Sequence, residues 1–236
     1  MRWLFSSSSV WMLALVPTAF AQHAHSDVEF EYTNGMIDIK FGPEGQVFEA
    51  DLETSGTFEQ NTDDPGFASE TGDGLGVEPD NLIDYNILGP LRYHDGNAFA
   101  PVPGNAGIVI DDNPNGGMTV TASTVGPVSG TGVITQADEF GDVHAHVDFT
   151  LEPQSLDTAE FGAYGILMEL TTDEPGIANS DPFYIVFNFG LEEDENLPGP
   201  HFHDAVEDFA ASVPEPSSLF LAALGGVLLL VRRRRR

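Results

Sequence analysis

The sequence contains no cysteine and very few basic residues. Without cysteine the chain has no disulfide to staple an exported domain and no thiolate with which to hold a metal. Only 8 lysine and arginine residues stand against 38 acidic residues, which gives a formal net charge of −30. A chain this acidic excludes nucleic acid and anionic lipid as simple partners, and it favours divalent cations, with calcium suited to carboxylate oxygens.

The basic residues are concentrated at the two ends of the chain, at Arg2 and in the run 232–236. Between Gln22 and Ser212 only Lys40 and Arg92 are basic. The acidity therefore belongs to the segment 22–212, which is long enough to build one sizeable core without disulfides.

Helical periodicity is scarce, and the motifs of several enzyme classes are missing. The sequence has no Gly-x-Ser-x-Gly, no His-Glu-x-x-His and no phosphate-binding glycine loop. Carboxylate pairs are so frequent that none is diagnostic of a glycosidase. A His-x-His-x-Asp segment also occurs in metallohydrolases, but those folds need helical patterns that this chain lacks. We therefore predict that the protein is not an enzyme.

The N-terminus has the pattern of a secretory signal peptide. Arg2 precedes an apolar run at 10–16, and Ala19-Phe20-Ala21 forms a small-residue cleavage site. We predict a Sec signal peptide at 1–21 that is removed by signal peptidase, with the exported domain beginning near Gln22.

The C-terminus joins a Pro-Glu-Pro, a short apolar run and five arginines. As a helix, residues 217–231 would be roughly 22 Å long, which is short for a hydrocarbon core of about 30 Å but tolerable with local thinning. The arginines would hold this end on the cytoplasmic side, so that everything upstream lies outside. We predict a short transmembrane helix that anchors the protein in the membrane before processing.

These three parts, in this order, resemble the PEP-CTERM sorting signal of exosortase-processed bacterial surface proteins. The resemblance implies a sorting segment at 213–236, cleavage by exosortase near the Pro-Glu-Pro, and transfer to the cell surface or extracellular matrix. The residues of the signal are Val213, Pro214, Glu215, Pro216, Arg232, Arg233, Arg234, Arg235 and Arg236.

Strand alternation is common between the two ends and predicts an all-β fold, a single β-sandwich-like domain of two sheets at 22–212. Residues 28–32 and 37–41 alternate around Asn34-Gly35, which predicts a hairpin. Further predicted strands lie at 47–52, 82–88, 107–110, 118–123, 132–135, 143–151, 163–170 and 183–189. We expect 61–81 and 111–117 to be solvated loops, and 205–212 to be a linker into the sorting helix.

Histidine is the most informative residue type in this domain. Six of the seven histidines form His-x-His pairs, because His23 pairs with His25, His144 with His146 and His201 with His203. On a strand, residues i and i+2 share a face, so each pair can offer two imidazoles to zinc, copper or nickel.

A carboxylate extends two of these pairs. Asp27 and Asp148 each follow the second histidine by two residues, so each would lie on the same face as a third ligand or as an acceptor for an imidazole N–H. In the strand at 143–151 the other face is apolar, which directs His144 and His146 to the polar side. The pair at His201 and His203 lies in a predicted loop.

The segment His144-Ala-His146-Val-Asp148-Phe149, with the later strand 161–170, resembles the surface-anchored module called choice-of-anchor M. That resemblance implies an extracellular β-module with a role in zinc handling. Two functions remain open from the residues themselves. One is a surface protein that binds zinc or copper through its His-x-His strands. The other is a structural or adhesion protein of the extracellular matrix, with calcium as a possible support and with incidental histidines.

Overall fold

The structure is a computed structural model that describes residues 27–52, 60–111, 117–126, 128–152, 160–194 and 196–214. Within these residues there are fifteen strands, a short 3-10 helix at Thr71–Asp73, and one α-helix, α1 (Phe202–Ser212). The strands are β1 (Val28–Thr33), β2 (Met36–Ile39), β3 (Val47–Asp51), β4 (Asn61–Thr62), β5 (Phe67–Ser69), β6 (Leu82–Ile87), β7 (Arg92–His94), β8 (Phe99–Ala100), β9 (Gly107–Asp111), β10 (Met118–Thr121), β11 (Val128–Gln136), β12 (Val143–Ala145), β13 (Asp148–Glu152), β14 (Gly162–Thr172) and β15 (Phe183–Phe189). The predicted all-β class is confirmed.

Backbone hydrogen bonds join these strands into three sheets rather than the two that we predicted. Two sheets have four strands each, in the orders β12-β5-β1-β2 and β10-β9-β13-β4. The third has seven strands and follows β11-β6-β14-β15-β3, with β7 beside β14 and β8 beside β7. Two pairs are parallel, β1 with β5 and β3 with β15.

The predicted hairpin is confirmed. Thr33 pairs with Met36 across a two-residue turn in which Asn34 and Gly35 have φ of 52° and 79°. Positive φ at both central positions is the type I′ geometry that matches the twist of the flanking strands.

The seven-stranded sheet is covered on both faces at β15. Every residue of β15 is buried, and its side chains divide between two clusters. Phe183, Ile185 and Phe187 join the main core, to which all three sheets contribute. Tyr184 and Val186 face the other way and pack against α1. A sheet buried on both sides explains why this strand reads as a continuous apolar run rather than an alternating one.

The strand predicted at 143–151 is in fact two strands in different sheets. Residues 143–145 pair with β5, whereas 148–152 pair with β9 and β4. The alternation of buried and exposed side chains continues through the break. The sequence pattern therefore indicates which face is buried, but it does not indicate that the chain pairs with a different strand after the break.

Two segments predicted to lack regular structure are ordered. The predicted loop 61–81 contains β5, which is buried throughout and is an inner strand of its sheet. The predicted linker 205–212 belongs to α1, whose buried residues Phe202, Val206 and Phe209 recur every three or four positions. That spacing is the helical period and was present in the sequence.

Among the described residues no helix is both long enough and apolar enough to cross a membrane. The predicted signal peptide at 1–21 and the apolar run at 219–231 lie outside the described residues, as do His23 and His25.

Candidate metal centre

Strand register brings one carboxylate and one histidine to opposite sides of Gly66. In the sheet, β5 lies between β1 and β12, and Phe67 is paired with both Val28 and Ala145. The next position toward the N-terminus of β5 is Gly66. Because β1 is parallel to β5 and β12 is antiparallel, Asp27 and His146 both fall beside it. His144 pairs with Ala68 and lies on the same face as His146.

The three side chains form a compact donor set. One ligand atom each from Asp27, His144 and His146 can be chosen so that all three lie within 4.8 Å of one another. Nε2 of His144 is 3.7 Å from Oδ2 of Asp27, and the two imidazole centroids are 5.6 Å apart. Ligand atoms on a tetrahedral zinc with bonds of about 2.0–2.1 Å are separated by roughly 3.3 Å. The group therefore needs only small side-chain movements to enclose an ion.

Gly66 provides the space into which these side chains point. A Cβ atom at this position would lie 2.8 Å from Oδ1 of Asp27 and 2.9 Å from Nε2 of His146. Both contacts are closer than van der Waals packing permits, so a larger residue would displace the two ligand atoms. The absence of a side chain at Gly66 is thus part of the geometry of the centre.

Each imidazole is oriented through its Nδ1 atom. Nδ1 of His146 donates to the backbone carbonyl of Asp63 at 2.8 Å, and Nδ1 of His144 donates to Oε1 of Glu70 at 2.9 Å. Both bonds place the proton on Nδ1 and leave the Nε2 lone pair for another partner. Oxygen acceptors on the distal nitrogen are the usual surroundings of metal-ligating histidines, where they fix the tautomer and make the ligand more basic.

The local charge favours protonation of His144. The hydrogen bond to Glu70, supported by the negative charges of Asp27 and Glu70, raises the pKa of His144 above its ordinary value. The ring is 55% exposed, so solvent screens these interactions. Because a metal ion needs the neutral ring, it would compete with protons for His144, and its binding would weaken in acid.

A second group shares His146. Asp63 and Asp64 offer carboxylate oxygens that lie within 4.8 Å of a ring nitrogen of His146 and of each other. Nδ1 of His146 donates to the backbone carbonyl of Asp63, and His146 belongs to both groups. The one with two carboxylates is richer in oxygen, which is the donor that calcium prefers.

The predicted ligand Asp148 lies outside both groups. It is exposed at the start of β13, where it is paired with Asp111 of β9. The change of sheet between β12 and β13 separates it from the pairing that places His144 and His146. Of the two predicted carboxylates, it is Asp27, far away in the sequence, that the fold brings to these histidines.

The remaining described histidines lie elsewhere. His201 precedes α1 and His203 is in its first turn, with Nε2 of His203 at 3.4 Å from Oε1 of Glu207. Nδ1 of His201 is buried with no hydrogen-bond partner among the described residues. His94 is buried, and its Nε2 donates to Asp208 at 3.0 Å while Nδ1 accepts from the Gly96 N–H at 3.1 Å. None of the three belongs to either metal-ligating group of the described residues.

Four residues of this centre were not predicted. Asp63, Asp64, Gly66 and Glu70 all lie in the acidic segment that we expected to be a solvated loop. Acidic residues are so frequent in this chain that composition could not single them out. Only the insertion of β5 between β1 and β12 places them beside the histidines.

No curated protein and no solved structure matches this chain significantly. The resemblance to choice-of-anchor M therefore stays a prediction. Residues 212–236 match the PEP-CTERM protein-sorting motif. The match supports the interpretation of the C-terminus, and it implies export, C-terminal anchoring, surface display and processing by exosortase. The chain thus carries a PEP-CTERM sorting signal at residues 212–236, and this signal supports an exosortase-sorted, exported surface protein.

Proposed function

We propose that this exported protein is a non-catalytic surface protein that binds a transition metal, zinc or copper, through Asp27, His144 and His146. Neutral imidazole nitrogens together with one carboxylate oxygen suit these ions. Three protein ligands leave a coordination position open on a tetrahedral ion, as expected for a site that exchanges its metal with the surroundings.

One observation carries the proposal. Nε2 of His144 lies 3.7 Å from Oδ2 of Asp27, and Nε2 of His146 lies with Oδ1 of Asp27 beside the space above Gly66. An oxygen atom accepts the Nδ1 proton of each ring. Two unrelated surface histidines would not be expected to carry the proton on the same ring nitrogen, to lie beside the same carboxylate and to point into the same space above a glycine. Because the donor atoms already lie close together without a metal, binding would cost little conformational entropy.

The exposure of the site supports capture from solution. His144 is 55% exposed and Asp27 is 27% exposed, so an ion can reach the donors without opening the core. The acidic surroundings raise the local concentration of cations by attraction. Electrostatic attraction alone does not distinguish zinc from calcium. The two imidazoles favour zinc, because calcium prefers oxygen ligands.

Calorimetric titration of the full chain with zinc and then with copper tests the proposal. Micromolar or tighter binding at pH 7.5, equivalent to about −8 kcal/mol or better, is expected for the wild type. The double variant H144A/H146A should lose it, whereas H203A should bind like the wild type because His203 lies on α1 outside the donor set. Unchanged binding in H144A/H146A would refute the site. The variant H23A/H25A measures whether the first pair contributes.

A matrix or adhesion role with calcium support is the second candidate, and Asp63 and Asp64 favour it. Their carboxylates, with His146, form the more oxygen-rich group. In that case calcium should bind to H144A as well as to the wild type, and D63N/D64N should abolish the binding. Titration with calcium of the same two variants therefore separates the two candidates.

A further inference from the structure

The donor set of the proposed metal site comes from two strands that are not neighbours in their sheet. In the order β12-β5-β1-β2, strand β5 separates β1, which Asp27 directly precedes, from β12, which contains His144. Neighbouring strands lie about 4.8 Å apart, so the backbones of β1 and β12 are separated by roughly 10 Å. Because Gly66 has no side chain, donors from the two outer strands can meet above it. An ion at this position would bond to both outer strands at once.

The N-terminal end of β1 has a short ladder to β5. Two residues, Val28 and Glu29, are paired with β5 in the parallel arrangement, and the Val28 N–H donates to the carbonyl of Gly66 at 2.8 Å. Parallel pairing is slightly less stable per residue than antiparallel pairing. The opposite end of the strand has an attachment outside its sheet, because the hydroxyl of Tyr32 donates to Oγ1 of Thr172. Fraying of β1 should therefore begin at its N-terminal end.

Like charges gather at this end of β1. Asp27 and Glu70 lie 3.7 Å and 2.9 Å from the two ring nitrogens of His144. Asp63 and Asp64 belong to the neighbouring ligand group. Ionised carboxylates this close together repel one another, and partial exposure to solvent weakens the repulsion without removing it. A divalent cation would replace the repulsion by attraction at the point where the ladder of β1 begins.

We propose that the bound metal is a clasp that fastens the N-terminal end of β1 to β12 across β5. With the metal in place, this end of β1 can open only after the bond between the metal and Asp27 breaks. Without the metal the end opens more often, although the closed form still predominates because Val28 is fully buried in the core. This inference rests on the proposed metal site and adds a structural consequence of binding to it.

The clasp joins segments that are far apart in the sequence, as a disulfide does in other exported domains. The chain has no cysteine with which to make such a link covalently. A metal link differs from a disulfide because it forms and breaks with the supply of metal. Local opening of a strand end exposes it to proteases. The first strand of the domain would therefore resist proteases best in surroundings that contain the metal.

Hydrogen exchange of the full chain, followed by NMR with and without zinc, tests the clasp. Calorimetry first gives the dissociation constant of each protein, and free zinc is then held at about 100 times that value. If opening of β1 releases the metal, the Val28 amide should exchange up to about 100-fold more slowly with zinc. The Asp95 amide donates to Ala98 in an exposed turn outside the donor set, and its exchange rate should not change.

Two variants that each remove one carboxylate charge show whether the link between the strands is responsible. D27N removes the bond to β1 and leaves His144 and His146 in place. It should bind zinc more weakly, and at saturating zinc its Val28 amide should exchange as fast as it does without zinc. E29Q removes the charge of a residue on β1 outside the donor set, and it should behave like the wild type.

The outcomes distinguish the clasp from the metal site itself. If zinc saturates the wild type and the exchange rate of the Val28 amide stays the same, the clasp is wrong and the proposed function stands. Slowing of this amide by zinc to the same degree in D27N would also overturn the clasp. If calorimetry detects no zinc binding to the wild type, the proposed function and the clasp are both wrong.

Discussion

Glu70 accepts a 2.9 Å hydrogen bond from Nδ1 of His144, although the two residues lie in segments far apart in the sequence. The carboxylate holds the ring so that Nε2 faces Asp27, and it raises the pKa of His144. In the proposed metal site Glu70 would thus be a positioning residue, and its charge would act on both metal affinity and proton competition.

The variant E70Q should separate these two effects. Loss of the charge should lower the pKa of His144 toward its ordinary value, so zinc binding should persist to a lower pH than in the wild type. The weaker acceptor should reduce affinity at pH 8 by about tenfold, at the low end of measured effects for partners of metal-ligating histidines. Zinc titrations from pH 5.5 to 8 measure both quantities.

E207Q makes the same substitution beside His203, outside the metal-ligating groups, and is the matched control. An E70Q profile that superimposes on the wild type would mean that the bond between Glu70 and His144 has no influence on the site.

Gly66→Ala should damage the centre without removing a ligand. The new methyl group would contact Oδ1 of Asp27 and the ring of His146 at under 3 Å. These are the ends of solvent-accessible side chains, so they can move aside at little cost in folding stability. We expect zinc affinity to fall by tenfold or more, with the melting temperature of the metal-free protein nearly unchanged.

Gly72→Ala is the control, because a Cβ there would meet no atom within 4 Å. If G66A binds zinc as tightly as G72A does, the donors do not converge above Gly66. Calorimetry and thermal melts of the two variants, run side by side, decide the point.

Zinc should stabilise the fold in a pH-dependent manner. The raised pKa of His144 means that the metal-free native state binds this proton more tightly than the unfolded chain does. The stabilisation that His144 gives to the metal-free protein is present below the ordinary histidine pKa of about 6.5 and is lost as pH rises through the raised pKa. Zinc requires the neutral ring, so the stabilisation by zinc increases as pH rises.

At a free zinc concentration of about 100 times the dissociation constant, the stabilisation should approach roughly 2.7 kcal/mol. The difference in melting temperature with and without zinc should therefore be large at pH 8 and small at pH 5.5. Calorimetric melts at both pH values measure it. A difference that is independent of pH, or larger in acid, would contradict binding through histidine.

Gly165→Ala should destabilise the domain by separating α1 from the sheet. The added methyl group would collide with the ring of Phe209, which is fully buried and has no free direction in which to move. Overpacking of this kind typically costs about 1–3 kcal/mol. Urea denaturation measures the loss against G89A, where a Cβ has open space. Equal stability of the two variants would show that α1 is loosely held.

Much of this protein was determined by local sequence. Alternation of apolar and polar residues fixed which faces are buried, and Asn34-Gly35 determined the first hairpin, because both are properties of a few neighbouring residues. The sorting motif is equally local, since three chemically distinct parts follow one another in a short stretch. The periodicity of α1 was also present in the sequence, although we expected a linker at 205–212.

Strand partnership was decided only by the tertiary structure. Nothing local indicates that β5 enters between β1 and β12, or that the chain changes sheets between His146 and Asp148. Such pairings depend on contacts between residues far apart in the chain, whose energies a sequence pattern does not contain. The shared face of His144 and His146 could be predicted from their spacing, because it depends only on neighbouring residues. Their partners Asp27, Gly66 and Glu70 became neighbours through the register of three strands.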